Sequence, residues 1–141
     1  NLAKSLGIKH CVNVGKVDLS EVKNKLGLQE GFDINLEMSG NVMALNSAIK
    51  HMVNGGKIAQ LGVFNDNTVG VNLNDIVFKG IFLKGIYGRE IFSTWYKMVT
   101  LIESGLNIEQ VITHKFHYLE YHNAFETMLS GNSGKIILEW N

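Results

Sequence analysis

The sequence predicts an α/β fold built on a mostly parallel sheet. Segments with the two-residue period of a strand alternate along the chain with segments whose apolar residues recur at helical spacing, the order that βαβ units require. The joints between them are short and marked by glycine, and no repeat or low-complexity linker interrupts the alternation. Hydrophobic residues make up 45% of the 141 positions, enough for one substantial core.

Taken in order, Asn1 to Leu6 read as the tail of a helix stopped by Gly7. His10-Cys11-Val12-Asn13-Val14 reads as a short strand. A small helix follows, with Asp18 or Ser20 as its N-cap and its end near Gly27. Phe32 to Met38 alternates apolar and polar residues, which is strand period. Gly40 and Asn41 then turn the chain into a helix whose stripe is Leu45, Ala48, Ile49, Met52 and Val53, stopped by Asn54-Gly55-Gly56. The next strand is Lys57 to Val63. A looser stretch follows, with a short strand at Val69 to Val71 and a helical turn capped by Asn74 and running through Phe78. A strand at Ile81 to Tyr87 leads into an amphipathic helix from Ile91 to Ser104, with Phe92, Trp95, Met98/Val99 and Ile102 on one side. Tyr121, Ala124, Phe125 and Met128/Leu129 mark another helix, stopped by Gly131, and Lys135 to Trp140 forms the last strand. One detail resists this pattern. A strand buried on both faces reads as a continuous apolar run, yet Asp33, Asn35 and Glu37 are polar. Either one face of that strand meets water or ligand, or the polar groups are paired.

Charge narrows the function. Thirteen Lys/Arg balance thirteen Asp/Glu, and the cations are scattered, which is not the footprint of a nucleic-acid binder. No apolar run approaches the roughly 18–20 residues of a membrane span, and the first residues lack the pattern of a signal peptide. Charged residues are only 18% of the chain, low for a fully solvated surface, so part of the surface is expected to be covered. Cys11 is the only cysteine; it excludes an intrachain disulfide and a cysteine-based zinc cluster, and suits a reducing, cytoplasmic location.

The sequence contains no phosphate-binding loop, nucleophile elbow, H-E-x-x-H or G-x-G-x-x-G. The strand ends are more informative, because open α/β sheets bind ligands at the carboxyl ends of their strands. Three are conspicuous: Glu37-Met38-Ser39-Gly40, Leu61-Gly62-Val63 and Ile86-Tyr87-Gly88-Arg89. Glycine there lets a ligand approach the backbone, and Arg89, just before a helix, could reach a phosphate. Glycines at strand ends also serve turns and close packing, and spacing alone favours that reading. His114 and His117 could suggest a metal pair, but strand alternation puts them on opposite faces and no acidic cluster stands beside them. The stripe of Phe92 and Trp95-Tyr96 is more often core than cofactor box, or an interface if exposed.

These residues resemble a known family. Glu30-Gly31-Phe32-Asp33 with Leu36-Glu37-Met38-Ser39-Gly40, Gly55-Gly56-Lys57-Ile58-Ala59 with Leu61-Gly62, and Phe78-Lys79-Gly80 with Lys84-Gly85-Ile86-Tyr87-Gly88-Arg89-Glu90 look like the threonine dehydrogenase branch of the zinc-dependent medium-chain dehydrogenases. So do Thr94-Trp95-Tyr96-Lys97-Met98, Ile112-Thr113-His114-Lys115-Phe116 and Ser130-Gly131-Asn132-Ser133-Gly134-Lys135. The resemblance covers essentially the whole chain. Gly-Arg-Glu followed by Thr-Trp-Tyr is the part specific to the branch; the glycine pair and the terminal Ser-Gly-x-x-Gly-Lys are shared more widely.

The resemblance implies oxidation of the L-threonine 3-hydroxyl by NAD to 2-amino-3-oxobutanoate, with zinc as a Lewis acid on the hydroxyl oxygen, in threonine catabolism. It places Leu61, Gly62 and Val63 against the nicotinamide half of NAD, Ile86 and Tyr87 on a second cofactor stretch, and Arg89 close to the cofactor. Ser39 and Gly40 lie at the adjoining strand end. It implies an incomplete Rossmann-type doubly wound parallel sheet, lacking its first two strands, followed by C-terminal helices. The N-terminal zinc domain, the glycine fingerprint and the ribose-binding acid are expected to precede Asn1, so no zinc ligand or catalytic residue is assigned within residues 1–141, and the isolated segment is expected to be inactive and to bind NAD poorly. In the usual strand order 3-2-1-4-5-6, His10–Val14 is the third strand and Phe32–Met38 the fourth. The third then pairs directly with the fourth, detaches, or leaves a gap that another copy fills. The nearest alternatives are a related zinc polyol or alcohol dehydrogenase, and a segment acting only as an oligomerisation module. The family's dimers and tetramers imply a homo-oligomer joined through the edge strand Ile81–Tyr87.

Overall fold

The computed structural model describes residues 2–141. Its elements run α1 Leu2–Ser5, α2 Leu19–Lys25, β1 Phe32–Glu37, α3 Val42–His51, β2 Met52–Gln60, α4 Leu73–Lys79, β3 Phe82–Gly85, α5 Ser93–Glu103, β4 Ile112–His117, α6 Tyr121–Leu129 and β5 Lys135–Glu139. They fall into two units. Val12–Gly88 forms one; Arg89–Asn141 with the residues up to Cys11 forms the other.

In the Val12–Gly88 unit, β1, β2 and β3 form a parallel sheet in that order. Helix α3 starts where Asn41 accepts hydrogen bonds through its side chain from the amides of Met43 (2.8 Å) and Ala44 (3.3 Å). Leu45, Ala48 and Ile49 of its stripe join Met52, Ile58 and Ile81 in one core, with Phe32, Phe64, Val71 and Ile76 packed against it; Met52 and Val53, expected on the helix, belong to β2. The far end of α3 is closed by Lys79 of α4. Its ammonium donates to the carbonyls of Ile49 (3.0 Å), Lys50 (2.6 Å) and Met52 (3.3 Å), where the helix dipole favours a cation.

Alternation puts Asn35 and Glu37 on one face of β1, and Ile34 and Leu36 on the other. Asp33 is exposed, Glu37 is buried, and Ile34 and Leu36 on the opposite face are 66% and 61% exposed. Helix α3 thus covers one face of the sheet, the one carrying Asn35, Glu37 and Ile58, and Ile34 and Leu36 sit on the other.

Several expected elements differ. His10–Val14 is not a strand and pairs with nothing in the sheet, the detached outcome of the three considered. Asn13 instead nucleates a turn: its side chain accepts from the Gly15 amide (2.9 Å) and its carbonyl from Lys16 (2.9 Å) and Val17 (3.1 Å), a local alternative to ladder bonds. Asn54-Gly55-Gly56 does not stop α3, which ends at His51. It lies within β2, where the register jumps from Phe32↔Met52 to Ile34↔Lys57 and Gly55 takes the positive φ of 75° that the bulge needs. Val69–Val71 is not a strand; the Gly70 carbonyl accepts from the Asn46 side chain (2.8 Å) instead. The N-cap of α4 is Asn72 rather than Asn74, with the Asp75 amide as its donor. Strand β3 is shorter than Ile81–Tyr87, its first apolar residue, Ile81, having entered the core.

In the other unit, β4 and β5 form a parallel pair with α6 packed on both. Tyr118 and Trp140, each just past a strand, stack at 4.6 Å. Ala124 is the buried apolar side chain of this unit. Helix α5 begins two residues later than Ile91, at Ser93, after an N-cap Phe92 whose φ is 70° and which offers no side-chain cap.

Candidate functional site: three strand ends

Because β1, β2 and β3 are parallel, their carboxyl ends emerge on one edge of the sheet, and backbone hydrogen bonds tie those ends together. The Glu37 carbonyl accepts from the amides of Leu61 (2.8 Å) and Gly62 (3.1 Å), and the Gln60 carbonyl accepts from that of Ile86 (2.8 Å). Gly40 and Gly62 allow a still closer approach. A β-carbon on Gly62 would stand 2.1 Å from the Gly40 nitrogen, and one on Gly40 2.2 Å from the Val63 carbonyl oxygen. Both positions therefore exclude any side chain, and Gly40 also holds a φ of 66°.

Seven of the eight sequence-chosen residues are thereby gathered on one unit: Ser39, Gly40, Leu61, Gly62, Val63, Ile86 and Tyr87. Leu61 and Ile86 are exposed, Val63 is 82% exposed and Tyr87 wholly so. These ends thus expose apolar side chains beside glycines that admit no β-carbon. Beside Gly40, a shallow hollow of about 270 Å³ opens between the start of α3 and Phe64–Asp66. Arg89, the eighth, belongs to the other unit, where its guanidinium lies 5.2 Å from the Trp95 ring centroid, within cation–π range.

Two residues at these ends escaped the choice made on the sequence. Glu37 is 4% exposed and accepts from the Ser39 amide (2.8 Å), the Ser39 hydroxyl, the Gly40 amide (3.1 Å) and the Gln60 side chain (2.6 Å). Burial pushes its carboxyl up, but the hydrogen bonds from Ser39, Gly40 and Gln60 together outweigh burial and hold it below the ordinary 4.5. Gln60 donates a second bond to the Gly62 carbonyl (2.8 Å), which fixes its amide orientation, since both neighbours are acceptors. The signal for Glu37 was its polarity in a strand with a buried face. Gln60 carried none.

Among the described residues no group of three or more His, Cys, Asp or Glu could hold a metal ion. No helix is long and apolar enough to cross a membrane.

Comparison with known proteins gives the family and the fold. The chain is 53% identical over 139 residues to an L-threonine 3-dehydrogenase of Legionella pneumophila (strain Corby), covering 99% of this chain and 41% of the relative. It is 49% identical over 141 residues to an L-threonine 3-dehydrogenase of Marinomonas sp. (strain MWYL1), covering 100% of this chain and 41% of the relative. The chain therefore spans about two fifths of the length of the curated relatives it matches. Among solved structures, an alcohol dehydrogenase from Thermotoga maritima superposes with a TM-score of 0.83 at 24% identity, over 97% of this chain and 39% of that one. A 2R,3R-butanediol dehydrogenase from Bacillus subtilis gives 0.76 at 22% identity, over 91% and 37%. These two likenesses show the shared α/β fold. The family model described as zinc-binding dehydrogenase matches residues 1–104, and the chain belongs to that family.

Proposed function

We propose that this chain is the C-terminal part of an NAD-linked L-threonine 3-dehydrogenase, and that its three strand ends form the wall of the nicotinamide site. The observation that carries the reading is the 53% identity over 99% of the chain to a relative of that name. The strand ends support it. Leu61, Val63, Ile86 and Tyr87 offer apolar contact to one face of a nicotinamide ring, while Gly40 and Gly62 leave the backbone bare for the cofactor to approach. When bound here, NAD would supply the hydride acceptor for oxidation of the threonine 3-hydroxyl to 2-amino-3-oxobutanoate. These residues hold and orient the ring and keep water from its covered face. The described residues do not fit zinc, and no step is assigned to it here. The zinc ligands, the glycine fingerprint and the ribose-binding acid belong, on this reading, to an N-terminal part of the same polypeptide.

The test is the NAD-dependent oxidation of L-threonine and of 2,3-butanediol by the full-length polypeptide carrying this sequence. A higher kcat/KM for threonine is expected; a higher value for the diol would place the protein with the polyol dehydrogenases. The same reading makes β3 the contact between copies, because all four of its residues are exposed and, among the described residues, it pairs only with β2. Light scattering on the full-length protein should give a dimer or tetramer, and a monomer at micromolar concentration would remove this contact.

A further inference from the structure

Glu37 has no part in the function so far, yet it is the most heavily bonded side chain at the site. Its burial is unusual for a carboxylate, and a buried carboxylate persists only where hydrogen bonds replace the water it has lost. Here every one of those bonds comes from a segment that carries a proposed cofactor residue. The Ser39 amide and hydroxyl donate to Oε1 and the Gly40 amide to Oε2, tying the carboxylate to the end of β1. The Gln60 side chain, which also donates to the Gly62 carbonyl, shares Oε2 with Gly40 and ties the carboxylate to the end of β2. Backbone bonds from Leu61 and Gly62 to the Glu37 carbonyl repeat the link from the main chain. The geometry also leaves no slack, since a β-carbon on Gly62 would stand 2.5 Å from a Glu37 carboxylate oxygen.

Resting on the cofactor site proposed above, we infer that Glu37 is a positioning residue for the nicotinamide half of NAD: its buried carboxylate brackets the Ser39–Gly40 turn and the Gln60–Gly62 strand end in the geometry the ring requires. It touches neither the ring nor the substrate, and acts through Gly40, Leu61 and Gly62. A carboxylate suits this place because each of its neighbours is a donor. An amide would turn its NH2 towards at least one N–H, and an alanine would leave the Ser39, Gly40 and Gln60 donors without a partner.

The experiment compares Glu37→Gln with the wild type in the full-length protein, reading KM for NAD, KM for L-threonine, and hydrogen exchange of the Ser39 and Gly40 amides without ligand. The expected result is a KM for NAD raised about tenfold, a KM for threonine within about twofold of wild type, and faster exchange at both amides. An unchanged KM for NAD, or an equal rise in both constants, overturns the assignment. Should Glu37→Gln fail to fold, Gln60→Met cuts one arm of the bracket. It should raise KM for NAD about threefold, and no rise overturns the assignment equally. A wild type with no NAD dependence would be a failure of the proposed function instead; amide exchange alone then decides the bracket, and unchanged exchange in Glu37→Gln removes it.

Discussion

The Val12–Gly88 unit and the unit built on Arg89–Asn141 use the same parts, parallel strands and amphipathic helices, and bury them very differently. Helix α3 and helix α5 both carry apolar residues at helical spacing. In α3 that stripe disappears into a core with Ile58 and Ile81. In α5 the corresponding residues, Trp95, Met98, Val99 and Ile102, are all exposed. Helix α3 lies on a three-stranded sheet that offers it a complementary face, whereas the two-stranded pair of the other unit carries α6 and, among the described residues, buries only Ala124. Periodicity tells which face of a helix is apolar. What covers that face is decided by the partners present, and it sets how much each residue stabilises the fold.

The contrast can be broken or sharpened by a graded series followed through urea denaturation. Ile49→Ala removes a fully buried side chain from the first unit and should cost about 3–4 kcal/mol. Lys79→Met, which withdraws the ammonium from the last carbonyls of α3, should cost about 1–2 kcal/mol. Met98→Ala, on the exposed stripe of α5, should cost less than about 1 kcal/mol. A loss at Met98 equal to that at Ile49 would mean the α5 stripe is covered in solution, and would make it an interface.

The same contrast explains what the sequence made legible. Elements that carry their own local signal were readable: Asn41 before α3, Asp18 before α2, the alternation of β1, the helical stripe of α6. The close approach of two strand ends was readable in part, because Gly40 and Gly62 mark them. Elements that exist only through pairing were not. His10–Val14 has an apolar strand composition, but no neighbouring strand accepts it, and Asn13 turns the chain. The bulge in β2 follows from a register with β1 that no local pattern encodes. Gln60 became visible only once β1 and β2 were side by side, with Glu37 opposite it. Arg89 follows Tyr87 by two positions, yet it belongs to a different unit from the residues it was grouped with.

Gly40 and Gly62 bring two strand ends into contact, and the proposed nicotinamide wall depends on that contact. The most direct measurement is calorimetric titration of NAD into the full-length protein, wild type beside Gly62→Ala. The added methyl meets the Gly40 backbone, which cannot move aside as a flexible side chain would. The wild type should bind NAD, and the variant at least about tenfold more weakly. A wild type that gives no binding, or a folded Gly62→Ala that binds NAD equally well, would contradict it.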